Sequence, residues 1–128
     1  MTDYRTRAEE LKEEIIRNRR TVHTFAETGF RPAPDHRLCG AAAPQLRTGT
    51  GAGGPGRISC VIGNPGGKTI LLRADMDALP MREESGLPFA AQNGHCHSCG
   101  HDTHTAMLLA AARMLKESEA ELCGQVKL

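Results

Sequence analysis

Tryptophan is absent and the other aromatics are scarce: the 128 residues hold one Tyr, three Phe and no Trp. Any core must be built from Leu, Ile, Val, Met and Ala, each burying less area than an aromatic ring. An excess of charge of either sign is also missing. Sixteen Lys and Arg against 15 Asp and Glu leave a net charge of +1. That argues against a phosphate-driven nucleic-acid binder, which needs a clustered basic surplus. No apolar run approaches the roughly 20 residues of a membrane span. The opening MTDYRTRAEELKEEII is too charged for the apolar stretch of a secretory signal. Five Cys is an odd number for a disulfide scaffold. Without a secretory signal, they read as free or metal-bound thiols in a reducing compartment, so the expected location is cytoplasmic. Hydrophobic residues make up 39% before the 14 Gly are added, enough for one packed domain or part of one.

What is present begins with an amphipathic stretch. Ala8, Leu11, Ile15, Val22, Phe25 and Ala26 recur at helical spacing and predict one helix over 2–28, capped by Thr2 or Asp3 and ended by Gly29. Residues 31–56 have no periodicity, and 10 of the 26 are Pro or Gly. A structureless run of that length is unusual within a compact domain. Its Arg, Pro, Gly and Ala content is what an out-of-frame reading of a G+C-rich gene would give, a hypothesis that sequencing the source DNA tests. Order resumes with a strand at Ile58–Ile62, a Gly63-Asn64-Pro65-Gly66-Gly67 turn and a second strand at Lys68–Ala74, together read as a hairpin. Residues 78–100 form a loop, and Thr103–Glu121 a helix apolar nearly all round, capped by Asp102 or Thr103 and closed by Gly124. A strand starts at Gln125. The order of helix, irregular segment, β-hairpin, loop, helix and strand gives an α/β fold class.

Chemistry concentrates in His95-Cys96-His97-Ser98-Cys99-Gly100-His101-Asp102-Thr103-His104, where four of the six His and two of the five Cys fall in ten residues. Soft and borderline donors at this density suit a transition metal. Cys99 stands just before a helix N-terminus, which favours the thiolate. Asp75 and Asp77 end the second strand two residues apart, so both point the same way. A carboxylate there can orient a ligating His. Other readings stay open: a structural zinc knot of Cys96, Cys99 and two of the nearby His, a redox pair, or strand-end charges that only solubilise. His23, on a polar helix face, His36 and the Arg82-Glu83-Glu84 loop face read as ordinary. Cys39, Cys60 and Cys123 read as inert small residues.

LLRADMDALPMREESGLPFAAQNGHCHSCGHDTHTAMLLAAARML resembles the hippurate hydrolase, N-acyl-amino-acid amidohydrolase and indole-acetyl-amino-acid hydrolase group of metallopeptidases, family M20. RRTVHTFAETGF resembles the group's R-R-x-x-H-x-x-P-E-x-G-F segment, with Ala26 in place of Pro. The resemblance covers roughly residues 4–30 and 57–128. It implies that residues 1–128 are the N-terminal portion of a mixed-sheet catalytic domain flanked by helices, truncated at the C-terminus. It implies two divalent ions per site in the parent (Zn, Mn, Co or Ni), with Cys99 and His101 as metal ligands and Asp77 as the carboxylate orienting a metal-site group. Asp75, Asp102 and His104 take supporting or capping roles. The implied reaction is hydrolysis of the amide of an N-acyl amino acid or small peptide-like conjugate by metal-activated water. A general-base Glu, further ligands and a homodimerisation domain are implied beyond Leu128, so the chain alone is expected to be inactive. The rival expectation is a stand-alone zinc module; a third is an inert degenerate product.

Overall fold

The structure, a computed structural model, describes residues 2–29 and 58–128. The irregular 31–56 segment, with His36 and Cys39, lies outside the described residues.

Helix α1 spans Tyr4–Glu10, and the Asp3 carboxylate accepts the N–H groups of Arg5 and Thr6 at its start. Helix α2 spans Lys12–Thr24. The expected single helix is therefore jointed at Leu11, although the hydrogen bonds Leu11 N–H to Arg7 O (3.1 Å) and Ile15 N–H to Leu11 O (2.9 Å) carry the ladder across. Leu11 is buried, so the joint sits against the core. The helix also stops five residues before Gly29. Thr24 explains part of this: its hydroxyl bonds back to Arg20 O at 2.9 Å and to Phe89 O at 3.1 Å, tying the last turn to a loop.

Strands β1 (Val61–Gly63), β2 (Thr69–Leu71) and β3 (Gln125–Lys127) form one sheet in the order β1-β3-β2. β3 runs antiparallel to β1, with Ile62 opposite Val126, and parallel to β2, with Ile70 opposite Val126. The fold is thus a partial α/β domain with a small mixed sheet. The expected hairpin is corrected: β1 and β2 are not hydrogen-bonded to each other, because β3 enters between them. The glycines that read as a tight turn make that entry possible. A Cβ on Gly63 would collide with the Gly124 carbonyl, and one on Gly67 with the Cys123 carbonyl. These residues must be bare for the backbones to meet.

Helix α3 spans His101–Glu117, followed by a 3₁₀ turn at Glu119–Glu121. It starts two residues before the expected Thr103. Its N-cap is Gly100 in the left-handed region (φ 89°), with no side-chain cap. The helix is also not buried all round. Asp102, Thr105, Ala106, Ala110 and Ala112 are buried, whereas Met107 is 52% exposed. The inward face is made of small residues, which lets α2 lie close against it. This is how a chain poor in aromatics closes its core, with Val22, Ile62 and Ala106 among its most buried members.

Ion pairs fasten the helices. Arg7 grips Glu117 at 2.8 Å, and Arg113 bonds both Glu117 (2.9 Å) and Glu14. The Arg7 hydrogen bond, opposed by partial burial and reinforced by Arg113, holds the Glu117 carboxyl at about 2.

Candidate metal centre

β2 stops at Leu71, short of the expected Ala74, so Asp75 and Asp77 lie in the non-strand segment that follows it, where both carboxylates meet the first turn of α3. His101 and His104 occur at i and i+3 on that turn, the spacing that puts two side chains on one helix face. Their rings stack, with centroids 5.7 Å apart and planes 25° from parallel. Asp75, His101 and His104 each offer one donor atom, and these atoms lie within 4.8 Å of one another.

Each imidazole is oriented by a carboxylate. His101 Nδ1 lies 3.0 Å from Asp77 Oδ1 and 2.8 Å from the Asp77 carbonyl. Both partners are acceptors, so Nδ1 carries the proton and donates, leaving Nε2 with its lone pair. Nε2 stands 3.9 Å from Asp75 Oδ2. His104 Nδ1 lies 2.9 Å from Asp75 Oδ1. By the same reasoning it donates to the carboxylate and leaves Nε2 bare. The Asp75 carboxyl is held at about 2, first by the His104 hydrogen bond and then by its own backbone N–H, against slight desolvation; the charge of Arg73 adds to this. It is therefore ionised at neutral pH. The Thr105 hydroxyl donates to the Asp75 carbonyl at 3.1 Å, and Arg73 reaches Asp75 Oδ2 at 3.0 Å. Strand end and helix start are thus latched together.

The donor set fits a borderline divalent cation. It offers two imidazole nitrogens with their other nitrogens committed to carboxylates, and one ionised carboxylate beside them.

Of the residues expected from the sequence, the fold brings together Asp75, Asp77, His101 and His104. Cys99 is exposed, and no cysteine is in the clustered donor set among the described residues. Cys96 is buried with its backbone bridged to Leu79. A stand-alone zinc knot built on Cys96 and Cys99 is therefore not favoured. Asp102 is fully buried, and its Oδ1 accepts the Thr103 N–H at 2.9 Å.

Sequence reasoning missed a second cluster beneath the first. His23 is 4% exposed rather than on a polar face. Its Nδ1 lies 2.7 Å from Asp102 Oδ2 and its Nε2 2.9 Å from Glu83 Oε1. Arg19 Nε also reaches Asp102 Oδ2, at 2.7 Å. Glu83, expected on a solvated loop face, has a side chain only 3% exposed. Burial pushes its carboxyl up, but the hydrogen bonds from His23, Ser85 and the Ala91 N–H outweigh this and hold it at about 2. The signal available was the RRTVHTFAETGF segment: a lone His there reads as ordinary unless its partners, 60 and 79 residues away, are known.

The partial α/β domain thus sets two carboxylates, in the segment after β2, against two histidines at the start of α3. Residues 71–128 match the domain described as Peptidase family M20/M25/M40, so the resemblance read from the sequence is shown for this part of the chain. The chain is 37% identical over 123 residues to thermostable carboxypeptidase 1 of Saccharolobus solfataricus, covering 93% of this chain and 31% of that protein. It is 34% identical over 125 residues to N-acyl-L-amino acid amidohydrolase of Geobacillus stearothermophilus, covering 93% and 33%. Among solved structures, a dinuclear metal binding peptidase of the M20 family from Bacillus subtilis superposes with a TM-score of 0.81 at 30% identity, covering 93% of this chain and 34% of its own. The chain spans about a third of the length of these relatives. Among the described residues no helix is long and apolar enough to cross a membrane.

Proposed function

We propose that this chain supplies part of the metal centre of an amidohydrolase that cleaves the amide of N-acyl amino acids or similar small conjugates. The observation that carries this reading is the convergence of Asp75, from the segment after β2, with His101 and His104 at the start of α3. The names of the relatives support it, since a carboxypeptidase and an N-acyl-amino acid amidohydrolase both release an amino acid from an amide.

Asp75, His101 and His104 would hold the cation, and Cys99, exposed beside the Gly100 cap, is proposed as a further donor. Zn, Mn, Co and Ni all suit imidazole and carboxylate donors. The bound cation would supply Lewis acidity, polarising the scissile carbonyl and making water acidic enough to attack at neutral pH. Asp77 keeps His101 in the tautomer that presents Nε2. Asp75, ionised and latched by Thr105 and Arg73, does the same for His104 and faces the space between the rings.

The test is Zn²⁺ titration of the chain followed through the imidazole carbon-bound proton resonances. Saturating shifts of His101 and His104, lost in Asp75→Asn, support the proposal. Shifts confined to His95 or His97 would overturn it.

A further inference from the structure

The clustered donors His101 and His104 use one side of the α3 first turn. On its other side lies a buried chain of hydrogen bonds whose purpose the fold alone does not require. It begins at the Ala91 N–H, which donates to Glu83 Oε2 at 2.7 Å. It passes from Glu83 Oε1 to His23 Nε2, through the ring to His23 Nδ1, and on to Asp102 Oδ2. It ends where Asp102 Oδ1 accepts the Thr103 N–H. Asp102 sits in sequence between the two histidines of the donor cluster, directly after His101.

We propose that His23 is a positioning residue for the metal centre, acting through Asp102 to set how the first turn of α3 presents His101 and His104. This rests on the metal reading above. Contacts from two sides fix that turn. Thr105 and His104 tie it to Asp75, and His101 ties it to Asp77. These come from the segment after β2. His23 and Arg19, from α2, supply the only contacts described for the Asp102 carboxylate from outside α3. Without them a fully buried carboxylate would lose its hydrogen-bond partners, a costly state relieved by turning toward water. That rotation would carry His101 and His104 with it. The His23 ring is itself fixed. Phe89 meets it edge-on at 5.4 Å, and the Arg19 and Arg20 guanidinium groups lie 5.3 and 5.2 Å from the Phe89 ring centre. His23 and Glu83 thus couple the 78–100 loop to the helix that carries the donors.

The test compares Co²⁺ affinity, helix content and His ring resonances in the unaltered chain, His23→Phe, Asp102→Asn and the double variant. His23→Phe keeps a ring in the slot while removing both hydrogen bonds. Co²⁺ binding should weaken by about 10- to 100-fold, the range seen when the outer partners of metal ligands are removed. Far-ultraviolet circular dichroism should change little, and the His101 and His104 resonances should move. Adding His23→Phe to Asp102→Asn should cost little further, since the two act in series. His23→Gln, which retains an amide N–H, should recover part of the affinity. An unchanged Co²⁺ affinity beside a lowered melting temperature would overturn the inference and leave His23 as a packing residue. Failure of the unaltered chain to bind Co²⁺ would overturn the metal reading instead. The ring resonances then decide this inference alone: moved by His23→Phe, it stands as a positioning effect; unmoved, it falls.

Discussion

The His101 imidazole and the Asp77 carboxylate are bound through one proton, with Nδ1 3.0 Å from Oδ1. This contact selects the tautomer whose free nitrogen faces Asp75. Asp77→Ala should therefore weaken metal binding by about 10- to 100-fold without abolishing it. Asp77→Asn should cost less, because the amide oxygen and the Asp77 backbone carbonyl, 2.8 Å from Nδ1, can still accept its proton. Titration calorimetry with Zn²⁺ checks both.

Asp75 answers two demands at once, as a donor and as the orienting partner of His104. Asp75→Asn should therefore cost more affinity than Asp77→Asn. Finding the two equal in calorimetry would mean that Asp75 only orients.

Acid should destabilise the metal-free chain, with a sign fixed by Glu83 and Glu117. Each carboxyl is held at about 2 in the fold, against an ordinary value of 4.5. Between those values the unfolded chain binds more protons than the folded one, so stability rises with pH there. It is fully present above about 4.5 and is lost as pH falls toward about 2. Melting temperatures measured across that interval with a chelator present should show this slope, and Glu83→Gln should flatten it. Glu83→Gln should also lower stability at neutral pH by roughly 1–3 kcal/mol, through imperfectly paired buried groups.

Gly67→Ala tests the sheet order. The added methyl would meet the Cys123 carbonyl. It should destabilise by more than about 1 kcal/mol and loosen β3 from β2. The Gly63–Gly67 surface turn of a simple hairpin would tolerate the same change. Urea unfolding and amide exchange of Leu72 and Gln125, whose N–H groups bond between the β2 and β3 segments, check it.

These contrasts show what the sequence could and could not reveal. His101 and His104 were legible because helix spacing is local and puts both on one side; Asp75 and Asp77 were found as an acidic pair, but β2 ends at Leu71, so the strand alternation expected to align them does not reach them. The sheet order was not legible. Gly63 and Gly67 have the composition of a turn whether or not another strand passes between their neighbours, and only the approach of Gly124 distinguishes the cases. The start of α3 was placed late because Asp102 is an apt cap by type, whereas the backbone turns at Gly100 and buries Asp102 inside the first turn. His23 and Glu83 were missed for a related reason. A polar residue among charged neighbours reads as solvated unless its distant partners are known, and here each is the other's partner at 2.9 Å.

The most direct measurement is a Co²⁺ titration of the purified chain by visible absorption, with His101→Ala alongside. Saturable binding at one ion per chain, with imidazole-type spectra, is expected and should be largely lost in the variant. Saturable binding that survives His101→Ala but is lost in a Cys96→Ser, Cys99→Ser variant would contradict this and return the site to the cysteines.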